Sequence, residues 1–582
     1  MSILETINQP ADLRDHSVAE LQQLAEEIRH VLLTKVSTTG GHVGPNLGSV
    51  ELTIAWHRVF NSPHDKIVFD VSHQSYTHKI LTGRKQAWLD PDHYHDVSGF
   101  TEPRESEHDF FTIGHTSTSV GLASGLALAR DDQNTHDHIT AVIGDGSMSG
   151  GLAYEALDNA AVLNRQLLIV VNDNQWSIAE NHGGIYQNLA ELRKTNGEAS
   201  NNLFKALGLD YRYVADGNDI QSLIDAFEAV KDIDHPLVLH INTQKGRGFK
   251  PALENEEAWH WHVPFNLPDG SPKHVSTGEN YWDLILADLD EHVQHGVPIY
   301  AMNAAVPGGF HLKDWAAKYP KRYIDVGIAE QESITLAAGM AKGGLRPVVF
   351  HSATFLQRAY DQLSHDLGIN SLPVVMLING GRISGGDPTH QGDLDQAELA
   401  NIPNLTYLAP TTKEDLIAQL DWALAQTDGP VAIRVPSNGV HSDPLAPDFA
   451  PTKMHILHHG TQIALMGLGS MRPLAETVLG KLSAQGIDAT LIDPRSTNTL
   501  DPEALDQLRG FHKLVVTMEE GTLDGGFGQK IAAYYGPTDV NVLTLGAQRR
   551  FNHNETRDAL LKEFNLTPDT ATQAILNALK EI

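Results

Sequence analysis

In this chain of 582 residues, the groups best placed to do chemistry are a carboxylate and an amide oxygen, set 29 residues apart behind two apolar runs. Asp145 sits in Gly144-Asp145-Gly146, directly after the run 139–143. Asn174 closes Val171-Asn172-Asp173-Asn174, which ends the next run, 167–171. A strand, a helix and a second strand fill the interval. Both side chains are therefore predicted at the carboxyl edge of adjacent parallel strands, where open α/β sheets take their ligands. Hard oxygen donors suit Mg²⁺ or Ca²⁺. One carboxylate, one amide oxygen and a backbone carbonyl can hold such an ion while diphosphate oxygens complete an octahedron. Gly146 and the small Ser147 let backbone N–H groups approach the diphosphate.

A second candidate is Glu330, in Asp325-Val326-Gly327-Ile328-Ala329-Glu330-Gln331-Glu332, at the head of a helix rich in Ala and Gly. A carboxyl group at a crowded, apolar helix entry is expected to have a raised pKa and to share a proton with a nitrogen base. The 31 histidines supply further groups that titrate near neutrality.

The elements that must position these groups are legible as short apolar runs alternating with amphipathic stretches. The runs lie at 139–143, 167–171, 237–241, 374–378, 432–435, 463–466 and 514–518. Continuous Val/Ile/Leu runs separated by helices imply an α/β fold with mostly parallel sheets covered on both faces. Segments 266–277 and 442–452, rich in Pro, Gly, Ser or Asp, discourage regular structure and read as linkers. They divide the chain into three expected domains, 1–265, 278–441 and 453–582. The formal charge of −31 argues against nucleic acid and anionic membranes as partners. The absence of cysteine excludes disulfides, thiolate metal sites and thiol nucleophiles. The apolar runs are too short to span a membrane, and the first residues do not have the pattern of a signal peptide, so a soluble, cytoplasmic protein is expected. No segment offers a dinucleotide-binding G-x-G-x-x-G in strand–turn–helix context.

Gly144-Asp145-Gly146 followed by Asn174 resembles the thiamine diphosphate motif. Further segments, in order along the chain, resemble the 1-deoxy-D-xylulose-5-phosphate synthase family, of the transketolase type. They include Gly40-Gly41-His42, Asp70-Val71-Ser72-His73, Gly114-His115-Thr116-Ser117, Lys245-Gly246-Arg247-Gly248, Phe355-Leu356-Gln357-Arg358 and Thr389-His390-Gln391-Gly392. The resemblance implies a homodimer with three α/β domains: a diphosphate-binding, a pyrimidine-binding and a C-terminal transketolase-like domain. It implies thiamine diphosphate and Mg²⁺ as cofactors, small-molecule substrates, and a place in isoprenoid and thiamine biosynthesis. The implied reaction decarboxylates pyruvate and joins the two-carbon unit to glyceraldehyde 3-phosphate. Asp145, Asn174 and the main-chain carbonyl of Trp176 would hold the metal. His73, Gly114, His115, Thr116, Gly146, Ser147, Asn174, Lys245, Phe249 and Phe355 would contact the cofactor. Glu330 would act on the aminopyrimidine. His42, Arg358, Asp387 and His390 would face the substrate, with His42, His115 and His390 counted with Glu330 as catalytic. One of His260 and His262 would add a further substrate-side imidazole.

The chain departs from the family on the acceptor side. Gly380 and Ser437 stand where the family carries Arg, and Ser352 stands where it carries Tyr. By the resemblance those positions grip the acceptor phosphate, which forked guanidinium donors hold best. Losing two charged hydrogen bonds worth ~1.5–3 kcal/mol each would weaken a phosphorylated aldehyde unless Arg358, Arg382 or Arg434 compensates. Two alternatives follow: a related enzyme using another ketol donor or an unphosphorylated aldehyde, and a catalytically silent scaffold.

Overall fold

Apolar residues on consecutive strand positions can all be buried only if both faces of the sheet are covered. That requirement organises the computed structural model, which describes residues 2–275, 277–437, 439–444, 449–553 and 555–582. Two compact units result: one runs up to Thr277 and includes Gly327–Ala329, the other comprises Gly278–Val326 and Glu330–Ile582.

The first unit is built on strands β1 (Lys66–Phe69), β2 (Ile139–Gly144), β3 (Leu167–Asp173), β4 (Asp210–Val214) and β5 (Pro236–Asn242), paired in the order β1-β2-β3-β5-β4. Every pairing is parallel. Helices α1 (Val50–Val59) and α4 (Ile220–Val230) pack Leu52, Trp56, Leu223 and Phe227 against Val170 on one face. Helices α2 (Ser119–Asp132) and α3 (Gly151–Leu163) pack Val120, Ala123, Ala153 and Leu157 against Ile169 and Val171 on the other. The small residues of α2 and α3 let those helices lie close to the sheet. Truncating a fully buried residue such as Ile169 to Ala should cost ~2–5 kcal/mol.

The second unit holds two sheets. The first contains β6 (Ile299–Asn303), β7 (Tyr323–Asp325), β8 (Arg346–Ser352), β9 (Val375–Asn379), β10 (Thr406–Leu408) and β11 (Val431–Arg434), in the order β10-β11-β9-β8-β6-β7 and all parallel. Helix α5 (Glu330–Lys342) buries Ile334, Ala337 and Ala341 in the cluster formed with Val349 and Met376. The next sheet contains β12 (His455–His458), β13 (Ile463–Gly467), β14 (Ala489–Asp493), β15 (Leu514–Thr522) and β16 (Asn541–Ala547), in the order β12-β14-β13-β15-β16. Only the edge strand β12 runs antiparallel to its neighbour.

The α/β expectation and its apolar strands hold. Of the first expected linker, 266–277, residue 276 lies outside the described residues, and its other residues carry no helix or strand. Of the second expected linker, residues 445–448 lie outside the described residues, and its other residues carry no helix or strand. Among the described residues, no helix is long and apolar enough to cross a membrane.

Candidate functional site

Parallel pairing of β2 with β3, in the register Gly144 to Asn172, puts Asp145 and Asn174 at one carboxyl edge. Asp145 is almost fully buried. Its Oδ2 accepts from Asn181 Nδ2 at 2.7 Å. Its Oδ1 is inaccessible and has no hydrogen-bond partner among the described residues. Burial first, and the nearby Asp173 carboxylate second, push the pKa of Asp145 well up, against the pull of the Asn174 and Gln175 N–H groups. A buried acceptor without a donor is costly, and a bound dication reverses this balance by favouring the anion. Asn174 Oδ1 accepts from Trp176 N at 3.1 Å, which leaves one of its two lone pairs. The donor set is thus hard oxygen throughout and fits Mg²⁺. The glycine beside it is required: a Cβ on Gly146 would lie 2.6 Å from Ser177 Cβ.

A buried network steadies this edge. Asp173, next to Asn174, takes His240 Nε2 at 2.8 Å and Arg193, and His240 Nδ1 in turn meets Tyr211 OH at 2.8 Å. Lys245 is buried, with Nζ donating to Ser177 O at 2.7 Å; burial lowers its pKa to about 8, opposed mainly by Asp145. Phe249 is buried close by in sequence, three residues after Gly246. It lies in the core, with its ring edge-on to Trp259 at 4.9 Å.

The histidines gather on neighbouring segments of the same unit. His42 meets His73 at 4.9 Å between ring centroids and His260 at 5.6 Å, and His73 stacks on His260 at 5.0 Å. His260, not His262, is therefore the imidazole that joins His42 and His73. His262 stacks on Trp259 at 4.2 Å and hydrogen-bonds Val263 O. Burial, then Lys245 and the two other imidazoles, hold His260 well below its usual pKa. A cluster of three imidazoles results.

The turn that carries Gly114, His115 and Thr116 is tied down by Asp70 at the end of β1. Its two carboxylate oxygens accept Ser117 N at 2.7 Å and Ser119 N at 2.9 Å. Ser117 Oγ donates to Ser147 O at 2.8 Å, joining the turn to the residue after Gly146. Val71, Ser72 and Ser117 have φ of 57°, 68° and 73°. Such values are costly for side chains with a Cβ, most of all for β-branched Val. Behind the turn, Asp109 is paired with His78 at 2.9 Å and with Arg84 at 2.7 and 2.9 Å. Burial alone would raise Asp109, but these partners hold it well below the usual carboxylate range.

In the second unit Glu330 opens α5 and is 4% exposed. Burial raises its pKa, and Arg358, 3.5 Å away, opposes the rise. A carboxyl whose neutral form is favoured by burial is suited to hold a proton for a nitrogen base. Ser333 Oγ donates to Glu330 O at 2.6 Å and meets His351 Nε2 at 2.7 Å, which anchors the first turn of the helix to β8. Phe355 and His390 meet edge to face at 5.7 Å. His390 Nδ1 is oriented by Asp387 at 2.9 Å. Burial would raise Asp387, but His390 and Thr389 lower it on balance.

The three departures share one sheet edge. Ser352 ends β8 opposite Asn379 of β9, Gly380 follows β9, and Ser437 lies just after β11. Of the arginines that could compensate there, Arg434 is buried and committed. It forks onto Asp395 at 2.8 and 3.0 Å and donates to Glu520 O at 2.7 Å. Arg358 pairs with Glu330. Arg382 is half-buried. Sequence reasoning missed Asn181 and the Asp173–His240–Arg193 network. Spacing alone gave no signal for either, because the partners come from separate strands and loops.

Residues 4–200 and 194–243 match the family described as 1-deoxy-D-xylulose-5-phosphate synthase. Residues 280–441 match the transketolase pyrimidine binding domain, and 452–570 the transketolase C-terminal domain. Three curated proteins named 1-deoxy-D-xylulose-5-phosphate synthase are similar along their whole length. The one from Acidobacterium capsulatum is 36% identical, covering 99% of this chain and 98% of that protein. The one from Methylacidiphilum infernorum is 37% identical with the same coverage. The one from Symbiobacterium thermophilum is 38% identical, covering 98% of this chain and 94% of its own.

Proposed function

Because the chain belongs to the 1-deoxy-D-xylulose-5-phosphate synthase family, we propose that it decarboxylates pyruvate and joins the two-carbon unit to glyceraldehyde 3-phosphate, giving 1-deoxy-D-xylulose 5-phosphate. The observation that carries this reading is the similarity to synthases over 98–99% of the chain. The family implies thiamine diphosphate, and we add Mg²⁺ as its counter-ion. When bound, thiamine diphosphate would supply the electron sink that decarboxylation and carbon–carbon bond formation require.

The chain's own residues have distinct tasks in this proposal. Asp145 Oδ1, the free lone pair of Asn174 and the Trp176 carbonyl hold the ion. Gly146 and Ser147 give the diphosphate close approach to backbone N–H groups. Glu330, kept protonatable by burial, exchanges a proton with the aminopyrimidine. His42, His73 and His260, whose rings meet one another, would offer polar groups to the cofactor and donor, as would His115. Phe355 packs on the cofactor ring, and His390, aimed by Asp387, faces the substrate. The pyrimidine-binding task belongs to 278–441 and the diphosphate task to 1–265, with 453–582 as the C-terminal domain. A cytoplasmic homodimer is part of the same proposal, to be tested by light scattering and fractionation.

The decisive experiment is turnover of pyruvate with glyceraldehyde 3-phosphate, thiamine diphosphate and Mg²⁺, with the product identified by mass spectrometry. Alongside it runs a panel of phosphorylated and plain aldehydes. Formation of the deoxyxylulose phosphate supports the proposal. CO₂ release without that product would replace it with a related enzyme of different acceptor.

A further inference from the structure

Asn181 lies seven residues beyond Asn174, outside the motif that marks the cation cradle. Yet its side chain reaches that cradle: Nδ2 donates to Asp145 Oδ2 at 2.7 Å. The other oxygen of each partner, Asp145 Oδ1 and Asn181 Oδ1, is inaccessible to solvent and has no hydrogen-bond partner among the described residues. A carboxylate has two equivalent oxygens and turns freely about its last bond, so a donor on one oxygen decides where the other points. The loop that brings Asn181 here is itself tied to the cradle. Tyr186 OH, a few residues on, donates to Gly146 O at 3.1 Å, and Ser177 N donates to Ala179 O at 3.0 Å.

Chemistry explains why an amide serves at this position. A carboxylate at 181 would have no hydrogen to give and would add another anion to Asp145 and Asp173, two carboxylates that already face each other in a buried site. A Lys or Arg would neutralise Asp145 and compete with a dication. A neutral donor fixes the ligand without changing the charge, and its remaining oxygen can accept from a water on the ion, several of which Mg²⁺ commonly keeps.

We propose that Asn181 is a positioning residue for the metal. It holds Asp145 Oδ2 so that Oδ1 faces the ion, and it offers its own Oδ1 to a metal-bound water. This rests on the reading of Asp145 and Asn174 as the metal ligands. Residues that orient metal ligands in this way typically contribute ~10–100-fold to metal affinity.

The test is a Mn²⁺ titration followed by electron paramagnetic resonance, on the full chain with saturating thiamine diphosphate. Far-UV circular dichroism and thermal midpoints show which variants remain folded. Asn181→Ala should weaken Mn²⁺ binding ~10–100-fold. Asn181→Asp should weaken it as well, despite the added charge, because the donated hydrogen is gone. Asn181→Ser, with a hydroxyl that can donate, should recover part of the loss and serves as the informative variant if Asn181→Ala does not fold. Affinity of Asn181→Ala within about threefold of the parent would overturn the proposal while leaving the metal reading intact. Tighter binding by Asn181→Asp would also overturn it, by making position 181 a direct ligand. If the parent itself takes up no Mn²⁺ with the cofactor present, both the proposal and the metal reading fail.

Discussion

At the carboxyl edge of the first sheet, a buried carboxylate oxygen of Asp145 has no donor among the described residues. At the carboxyl edge of the second sheet, a buried guanidinium, Arg434, has its donors taken by Asp395 and Glu520. The first edge carries an unbalanced acceptor that a cation would satisfy. The second carries an ion pair that is complete without a ligand. Recognition of a metal diphosphate needs the former arrangement. Recognition of a phosphate by arginine needs a free fork, and the structure gives the Arg434 fork to an internal carboxylate. The contrast teaches that a charged residue near a site is a ligand group only if the fold has not already spent it.

The sharpest way to break the contrast is at Glu330, on the second unit. Glu330→Gln should lower kcat by about 10³-fold or more, at the upper part of the range for general acid–base catalysis, while cofactor affinity changes little. Hydrogen–deuterium exchange at the reactive carbon of bound thiamine diphosphate reads the step directly. Near-normal exchange in the variant would remove Glu330 from the mechanism.

Asp145→Ala tests the other edge. It deletes the one anionic ligand of the hard-oxygen set, so metal-dependent cofactor binding should fall by about a hundred-fold or more, as for loss of a buried charge partner worth ~3–5 kcal/mol. Isothermal titration with and without Mg²⁺ checks it. Unchanged affinity and unchanged metal dependence would mean that the orphaned oxygen has another purpose.

The acceptor edge can be sharpened by substrate choice. With Gly380 and Ser437 in place of two family arginines, and Arg434 held by Asp395, two charged contacts worth ~1.5–3 kcal/mol each are missing. The ratio of kcat/KM for glyceraldehyde 3-phosphate over glyceraldehyde should therefore stay below roughly a thousand-fold, since each ~1.4 kcal/mol is tenfold. A larger ratio would show that Arg382 or another group holds the phosphate.

A smaller effect concerns stability. Burial lowers His351, under the first turn of the Glu330 helix, from 6.5 to about 4. The unfolded chain then takes up the proton first as pH falls. Above pH 6.5 His351 is neutral in both states and costs nothing; between 6.5 and about 4 its protonation in the unfolded chain destabilises the native state, by on the order of 3 kcal/mol in all. His351→Asn should flatten the dependence of Tm on pH across that window. An equally steep curve in the variant would assign the acid sensitivity to other groups.

Much of this architecture was legible in the residues. The runs at 139–143 and 167–171 became β2 and β3 because a sheet covered on both faces demands unbroken apolar strands, and that demand is local. The offset from Asp145 to Asn174 was legible for the same reason: a strand–helix–strand unit has a narrow range of lengths, and its register is set by the strands it joins. Less was legible where partners come from distant segments. Phe249 lies in the core with Trp259 and Phe265. The choice between His260 and His262 had no answer in the residues, because both belong to one short aromatic segment and only the approach of His42 and His73 separates them.

The sequence by itself determined the seven strands that read as apolar runs, the mostly parallel sheets they enter and the presence of a GDG turn with its later Asn, because these depend on periodicity, propensity and spacing along one stretch of chain. Only the tertiary structure decided which polar groups are already paired. Among the described residues Asp145 Oδ1 lacks a donor, Asn181 holds its twin oxygen, Asp70 fastens the His115 turn, and Arg434 is bound to Asp395 39 residues away. Pairing of buried charges depends on contacts between segments far apart in sequence and on the loss of water around them, and neither has a signature in the order of residues.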